Sequence, residues 1–135
     1  MTLQEFNILL PAHTAGSLAT CDSRGNPDIR GWQWQGVYQG KIYLCTNNTK
    51  TVYKQILANP NIAFFAINDK GAFRVYAQAK PVDNETLVAE IHSTLSTEVK
   101  QYYPTPQSNG LVILELLQGH IDVAVHGQSP QRIEL

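Results

Sequence analysis

Apolar residues recur at helical spacing in several parts of the chain. The predicted helical segments are residues 2–10, a segment containing Val52, Tyr53, Ile56 and Leu57, residues 84–95, and a short turn over residues 96–103. Thr2 is a candidate N-cap of the first helix, and Pro11 lies where that helix should end. Asn48 or Thr49 is the candidate N-cap of the second helix, which the pair "NP" terminates.

Between these segments, apolar and polar residues alternate at the two-residue spacing of strands. The predicted strands are residues 16–22, 28–38, 41–46, 61–68 and 72–82, followed by "LVILELL" and "HIDVAVH". Gly40 predicts a hairpin, and a break is predicted near Gln118–Gly119. Because the connections between strands are short, the pattern favours a mainly β fold: a small closed or half-open antiparallel barrel of six or seven strands with a few short helices.

Composition narrows the function classes. The 135 residues are 43% hydrophobic and 16% charged, which is typical of one globular domain covering residues 1–135. A formal net charge of −1 argues against nucleic acid or a membrane surface as a partner, so any anion site must be a local cluster. Neither a signal peptide nor a membrane span of roughly 20 apolar residues is visible, and we expect a cytoplasmic protein. Cys21 and Cys45 are expected to be buried free thiols.

The stretch "LCTNNTKTVYKQ", residues 44–55, joins a strand to the second helix. Capping alone explains its Asn and Thr residues, but Lys50 in the first turn faces the positive end of the helix macrodipole. Arg30 lies within a strand, where we expect no local carboxylate to pair with it. A phosphate would satisfy the helix N–H groups and both cations. On spacing alone, a plain cap and a phosphate site both remain open.

The order of motifs over residues 16–83 resembles the pyridoxamine 5′-phosphate oxidase-like, flavin-binding split barrels. "SLAT" precedes an acidic-glycine turn, and an arginine lies early in the second strand. A loop matching T-N-x-[ST]-K ends the third strand, a helix closing in Q-x-x-x-N-P precedes an apolar strand, and a strand opening "FRV" follows. The chain is most similar to the small general-stress and nitroimidazole-reductase-like members.

The resemblance implies an antiparallel split β-barrel that binds FMN at the subunit interface of a homodimer. Carried over by position, Arg30 and Lys50 would hold the FMN phosphate, with Thr46 and Asn47 donating hydrogen bonds. Lys54, one turn after Lys50, would be a second lysine near the phosphate, although a position on the solvated face of the helix explains it equally well.

The same resemblance places the segment from Gly31 through Trp32 and Gln33 to Trp34 along the isoalloxazine ring. Gly31 suits a close backbone approach. Trp32 or Trp34 would pack on the flavin or the substrate, and a place in the core or at a dimer interface is the alternative for either side chain.

Three departures argue against pyridoxamine phosphate oxidation. Ala77 replaces a usual glycine, Ala72 lies near the position of a flavin-contacting glutamine, and Gln35 replaces a lysine. The chain also ends before the oxidase's C-terminal substrate-binding segment. The implied function is therefore an FMN-dependent oxidoreductase for a small, unidentified substrate. A non-catalytic flavin or haem carrier and a dimeric interaction module are the alternatives, with haem or a deazaflavin as alternative cofactors.

No residue is predicted to be an acid–base catalyst. His120 and His126 share a strand face with Asp122, but no further ligand follows at metal-binding spacing. We therefore predict no metal site.

Overall fold

The computed structural model describes residues 1–135, which form four helices and eight strands. The helices are α1 (Leu3–Leu9), α2 (Thr51–Ala58), α3 (Glu85–Ser93) and α4 (Thr97–Tyr102). The strands are β1 (Ala15–Cys21), β2 (Pro27–Gln33), β3 (Val37–Tyr38), β4 (Lys41–Asn47), β5 (Asn61–Ile67), β6 (Gly71–Pro81), β7 (Leu111–Val125) and β8 (Gln131–Glu134). None of the helices combines the length and apolar character needed to cross a bilayer.

All eight strands belong to one antiparallel sheet with the strand order β2-β1-β5-β6-β7-β4-β3, and β8 pairs with β7. This architecture confirms the predicted mainly β split-barrel class. The inward faces of the strands, together with α1 and α2, form one apolar core of 19 buried residues. Strand β2 pairs only with β1, so its other edge is free of strand partners.

The strand prediction differs from the structure in three places. Residues 28–38 form two strands instead of one, because the chain leaves the ladder after Gln33 and turns at Gly36, whose φ is +93°. The predicted break near Gln118–Gly119 is a β-bulge within the continuous strand β7. Only glycine fits at position 119, since a Cβ there would collide with the carbonyl oxygen of Tyr76. Strand β8 was not predicted.

The helix caps confirm one prediction and correct another. Thr2 caps α1 in a capping box with Glu5, whose carboxylate accepts from the Thr2 N–H at 2.7 Å. The N-cap of α2 is Lys50, not Asn48 or Thr49. Asn47 already accepts hydrogen bonds from the backbone N–H and the hydroxyl of Thr49, at 2.9 and 2.7 Å, and this closes a turn before the helix begins.

Candidate functional site

An open groove of about 940 Å³ runs along the free side of β2. Its other walls come from the end of β4, the start of α2, helix α4 and the segment that follows α4. Seven of the nine predicted cofactor-binding residues line it: Arg30, Gly31, Trp32, Gln33, Thr46, Asn47 and Lys50. The fold thus brings the Arg30 strand and the Lys50 loop to one site.

Two predicted residues lie outside the groove. Trp34 is fully buried in the core, with its ring centroid 4.8 Å from that of Phe64 and 5.9 Å from that of Phe6. It leaves the face of Trp32 because the strand ends at Gln33. Lys54 lies on α2 but does not line the groove.

Arg30 is held by a network at the edge of the groove. Its Nη2 donates to Asp28 at 3.0 Å and to Gln55 at 3.1 Å, and its Nη1 donates to the Thr20 hydroxyl at 2.8 Å and the Leu18 carbonyl at 3.2 Å. The expectation that Arg30 lacks a local carboxylate was wrong, because residues two apart on a strand share a face. These bonds fix the guanidinium and leave its Nε–H without a partner.

Lys50 combines with the start of α2 to form a positive corner of the groove. No side chain caps α2, and its first turn contains no acidic residue. The backbone N–H groups of Thr51 and Val52, which also line the groove, have no hydrogen-bond partner within the chain. The Lys50 ammonium lies 5.8 Å from the centroid of the Trp32 ring and pairs with no carboxylate.

Thr46 carries a buried hydroxyl that has no hydrogen-bond partner. The residue is 2% exposed and belongs to the groove wall, next to Asn47. An unsatisfied hydroxyl of this kind costs about 1–3 kcal/mol, which a bound polar ligand would recover. Cys45, one residue earlier, is a free, half-buried thiol whose pKa burial raises to about 12. It is therefore protonated at neutral pH and does not compete as a nucleophile.

Sequence reasoning missed two groups of groove residues. Asp28 could have been found from its spacing to Arg30. Tyr102, Tyr103 and Asn109 lie far along the chain, and no local pattern connects them with β2 or β4.

The histidines lie elsewhere. His120 Nε2 is 3.6 Å from an Asp122 oxygen, but Asp122 is also bound by Arg132 at 2.7 Å, which lowers the pKa of its carboxyl group. No group of three or more metal-ligating side chains forms in the chain. None of the four histidines lines the groove.

The sequence model of a known family, described as pyridoxamine 5′-phosphate oxidase, matches residues 2–122. The chain belongs to this family. No curated protein matches the sequence. Among solved structures, a NimC/NimA family protein from Clostridium acetobutylicum superposes with a TM-score of 0.84 at 19% identity, and the match covers 98% of this chain and 92% of that one.

Other solved structures with the pyridoxamine 5′-phosphate oxidase fold are of proteins that bind different ligands. A related FMN-binding protein from Nostoc punctiforme has a TM-score of 0.74 at 16% identity and covers 96% of this chain and 84% of its own. A haem-binding protein from Mycobacterium smegmatis has a TM-score of 0.76 at 13% identity, with 98% and 57% coverage. At these identities the likeness shows a shared fold and does not identify the ligand of this chain.

Proposed function

We propose that the groove binds FMN, with the phosphate at Lys50 and the start of α2 and the isoalloxazine ring along β2. The observation that carries this proposal is the concentration of unpartnered donors at one corner. The Lys50 ammonium, the Thr51 and Val52 N–H groups and the Thr46 hydroxyl all lack a hydrogen-bond partner within the chain, and all four residues line the groove. A phosphate accepts hydrogen bonds from donors of this kind, and the helix dipole favours its charge.

The charge balance also favours an anion. Asp28 offsets Arg30, which leaves Lys50 as the cation without a carboxylate partner. Arg30 still lines the groove with a fixed positive charge and an Nε–H that makes no hydrogen bond within the chain. A dianionic phosphate would therefore find one free cation and one positioned cation within a single groove.

The neighbouring stretch of β2 suits a planar ring. A Cβ added to Gly31 would meet no atom within 4 Å, so the backbone there is open to close approach. Because β2 is an edge strand, backbone groups on its free side can bond the polar edge of a ring, and Trp32 adds an aromatic surface. No histidine of this chain lines the groove to serve as an axial haem ligand.

Bound FMN would supply hydride and electron transfer, while the chain would anchor the phosphate, orient the ring and exclude water. A flavin-dependent oxidoreductase acting on a small molecule is the activity that we propose for this site. The cytoplasmic location expected from the sequence stays a prediction.

A titration with FMN tests the proposal. We expect wild-type protein to bind FMN and to unfold at a higher temperature when FMN is present, because a ligand that binds only the folded state stabilises it. Lys50→Ala should weaken FMN binding by about 1–3 kcal/mol and leave riboflavin, which lacks the phosphate, unaffected. Lys54→Ala removes a cation of the same helix outside the groove and should match wild type. A protein that gains no thermal stability from FMN would refute the flavin proposal.

We also propose that a second copy of the chain covers the outer face of the sheet beside the groove. Ile29, Phe65 and Tyr76 are 67%, 41% and 38% exposed, and together they line a second, smaller pocket on this face. Ile29 also lines the main groove, so a subunit placed here would border the cofactor. Exposed apolar surface of this extent favours association.

A charge placed on this face should dissociate the dimer. We expect wild-type protein to have the mass of a dimer in light scattering and Phe65→Asp to be a monomer at the same concentration, because the carboxylate would be buried at the interface. Ile8→Asp is the matched control, since Ile8 is 69% exposed on α1 and does not line this pocket. A monomeric wild-type protein would contradict the homodimer.

A further inference from the structure

Helix α4 forms part of the groove wall without contributing to the core. None of its six residues is buried. An isolated helix of this length is not stable in water, so tertiary contacts must hold it in place. The position of α4 therefore depends on polar anchors.

The first anchor ties the start of α4 to the groove strand. The Ser96 hydroxyl accepts from the Val99 N–H at 3.3 Å as the N-cap and donates to the Gln33 side chain at 3.0 Å. Gln33 is the last residue of β2 and lines the groove. The Ser96 hydroxyl thus caps α4 and also holds the start of this helix next to the end of β2.

The second anchor holds the end of α4. His92 Nε2 lies 2.6 Å from the carbonyl oxygen of Tyr103, and because a carbonyl can only accept, the ring nitrogen donates. His92 is a buried residue of α3, and it is thus a fixed support for the end of α4. Lys100 adds a bond from its ammonium to the Ser93 carbonyl at 3.0 Å.

These anchors present two tyrosines to the groove. Tyr102 and Tyr103, which we call the aromatic wall, both line it, and neither phenol hydroxyl makes a hydrogen bond within the chain. Tyr102 is 80% exposed, so most of the residue makes no contact with the rest of the chain. A large aromatic ring held at a cavity without packing partners is available to a ligand.

We propose that Tyr102 of the aromatic wall stacks on the isoalloxazine ring of bound FMN, an inference that rests on the flavin proposal above. Stacking needs the ring of Tyr102 and not its hydroxyl group. Stacking contacts the flavin ring and not the phosphate. Tyr102 should therefore contribute to the binding of FMN and riboflavin alike, whereas Lys50 should contribute only to the binding of FMN. The ring would lie between strand β2, with Trp32, and helix α4.

Two ligands and four variants separate the contributions. Dissociation constants for FMN and riboflavin are measured by fluorescence titration of wild type, Tyr102→Ala, Tyr102→Phe, Gln101→Ala and Lys50→Ala. We expect Tyr102→Ala to weaken binding of both flavins by the same factor, about three- to tenfold, and Tyr102→Phe to stay within about twofold of wild type. Gln101→Ala alters an exposed neighbour on α4 outside the groove and should have no effect.

The outcomes distinguish the two proposals. If Tyr102→Ala binds both flavins as wild type does while Lys50→Ala selectively loses FMN, the stacking is wrong and the flavin site stands. If wild type binds neither flavin, both proposals fall. Far-UV circular dichroism of Tyr102→Ala checks that α4 and the sheet are intact, which we expect because the Tyr102 side chain is exposed.

Discussion

Trp34→Ala should lower the free energy of unfolding by about 3–5 kcal/mol, the usual cost of removing a large aromatic side chain from a core. Trp34 is fully buried, and its ring meets Phe6 edge-on at an interplanar angle of 86°. Removing the indole would leave a cavity between α1 and β5, where Phe6 and Phe64 would lose their contacts. Urea denaturation followed by tryptophan fluorescence from Trp32 or by circular dichroism measures the change.

Trp34→Phe is the matched variant. The indole Nε1 is buried without a hydrogen-bond partner, so phenylalanine removes an unsatisfied donor while keeping an aromatic ring in the core. We expect it to cost much less than alanine. A variant Trp34→Ala as stable as wild type but impaired in FMN binding would contradict the core position and return Trp34 to the cofactor site.

Arg30→Ala should have two separable effects. It removes four hydrogen bonds that join β1, β2 and α2 through Thr20, Asp28 and Gln55, and we expect the ligand-free protein to lose about 1–3 kcal/mol of stability. It also removes a fixed cation beside the proposed phosphate, and FMN binding should weaken by a further 1–3 kcal/mol, roughly. Denaturation without ligand and titration with FMN measure the two effects independently.

Arg30→Lys separates charge from geometry. Lysine keeps the positive charge but cannot reproduce the fork that reaches both Thr20 and Gln55. We expect intermediate FMN affinity and reduced stability. Riboflavin binding should be nearly insensitive to either change, and a loss for riboflavin as large as that for FMN would show that Arg30 acts through the fold and not through the phosphate.

Much of the element order could be predicted because most helices and strands are amphipathic. The apolar spacing of Val52 and Ile56 located α2, and both residues are buried against the core. The hairpin at Gly40 follows from residues that adopt positive φ, 48° at Gln39 and 75° at Gly40. Local signals of this kind do not depend on the rest of the chain.

The remaining features depend on contacts that periodicity does not encode. A glycine is compatible with both a bulge and the end of a strand, so Gly119 alone predicts a break. In the structure β7 continues through Gly119 and bulges where it passes Tyr76. Two-residue alternation along residues 28–38 would place Trp34 on the face of Arg30, but the strand ends at Gln33. Within the site, Arg30, Lys50 and the loop before α2 could be located from the sequence. The contribution of α4 to the groove could be seen only in the tertiary structure.

The Lys50 loop and the β7 strand that supports it come from distant parts of the chain. This distance determines when during folding the site can form. Asn47 in β4 pairs with Leu111 in β7, and the Asn48 N–H donates to the Gly110 carbonyl at 2.9 Å. The Lys50 loop therefore acquires its support only when β7 has docked, long after β4 has been synthesised. Pairing over such sequence distances is slow. Under the flavin proposal, the empty folded protein is therefore less stable than the protein with FMN bound.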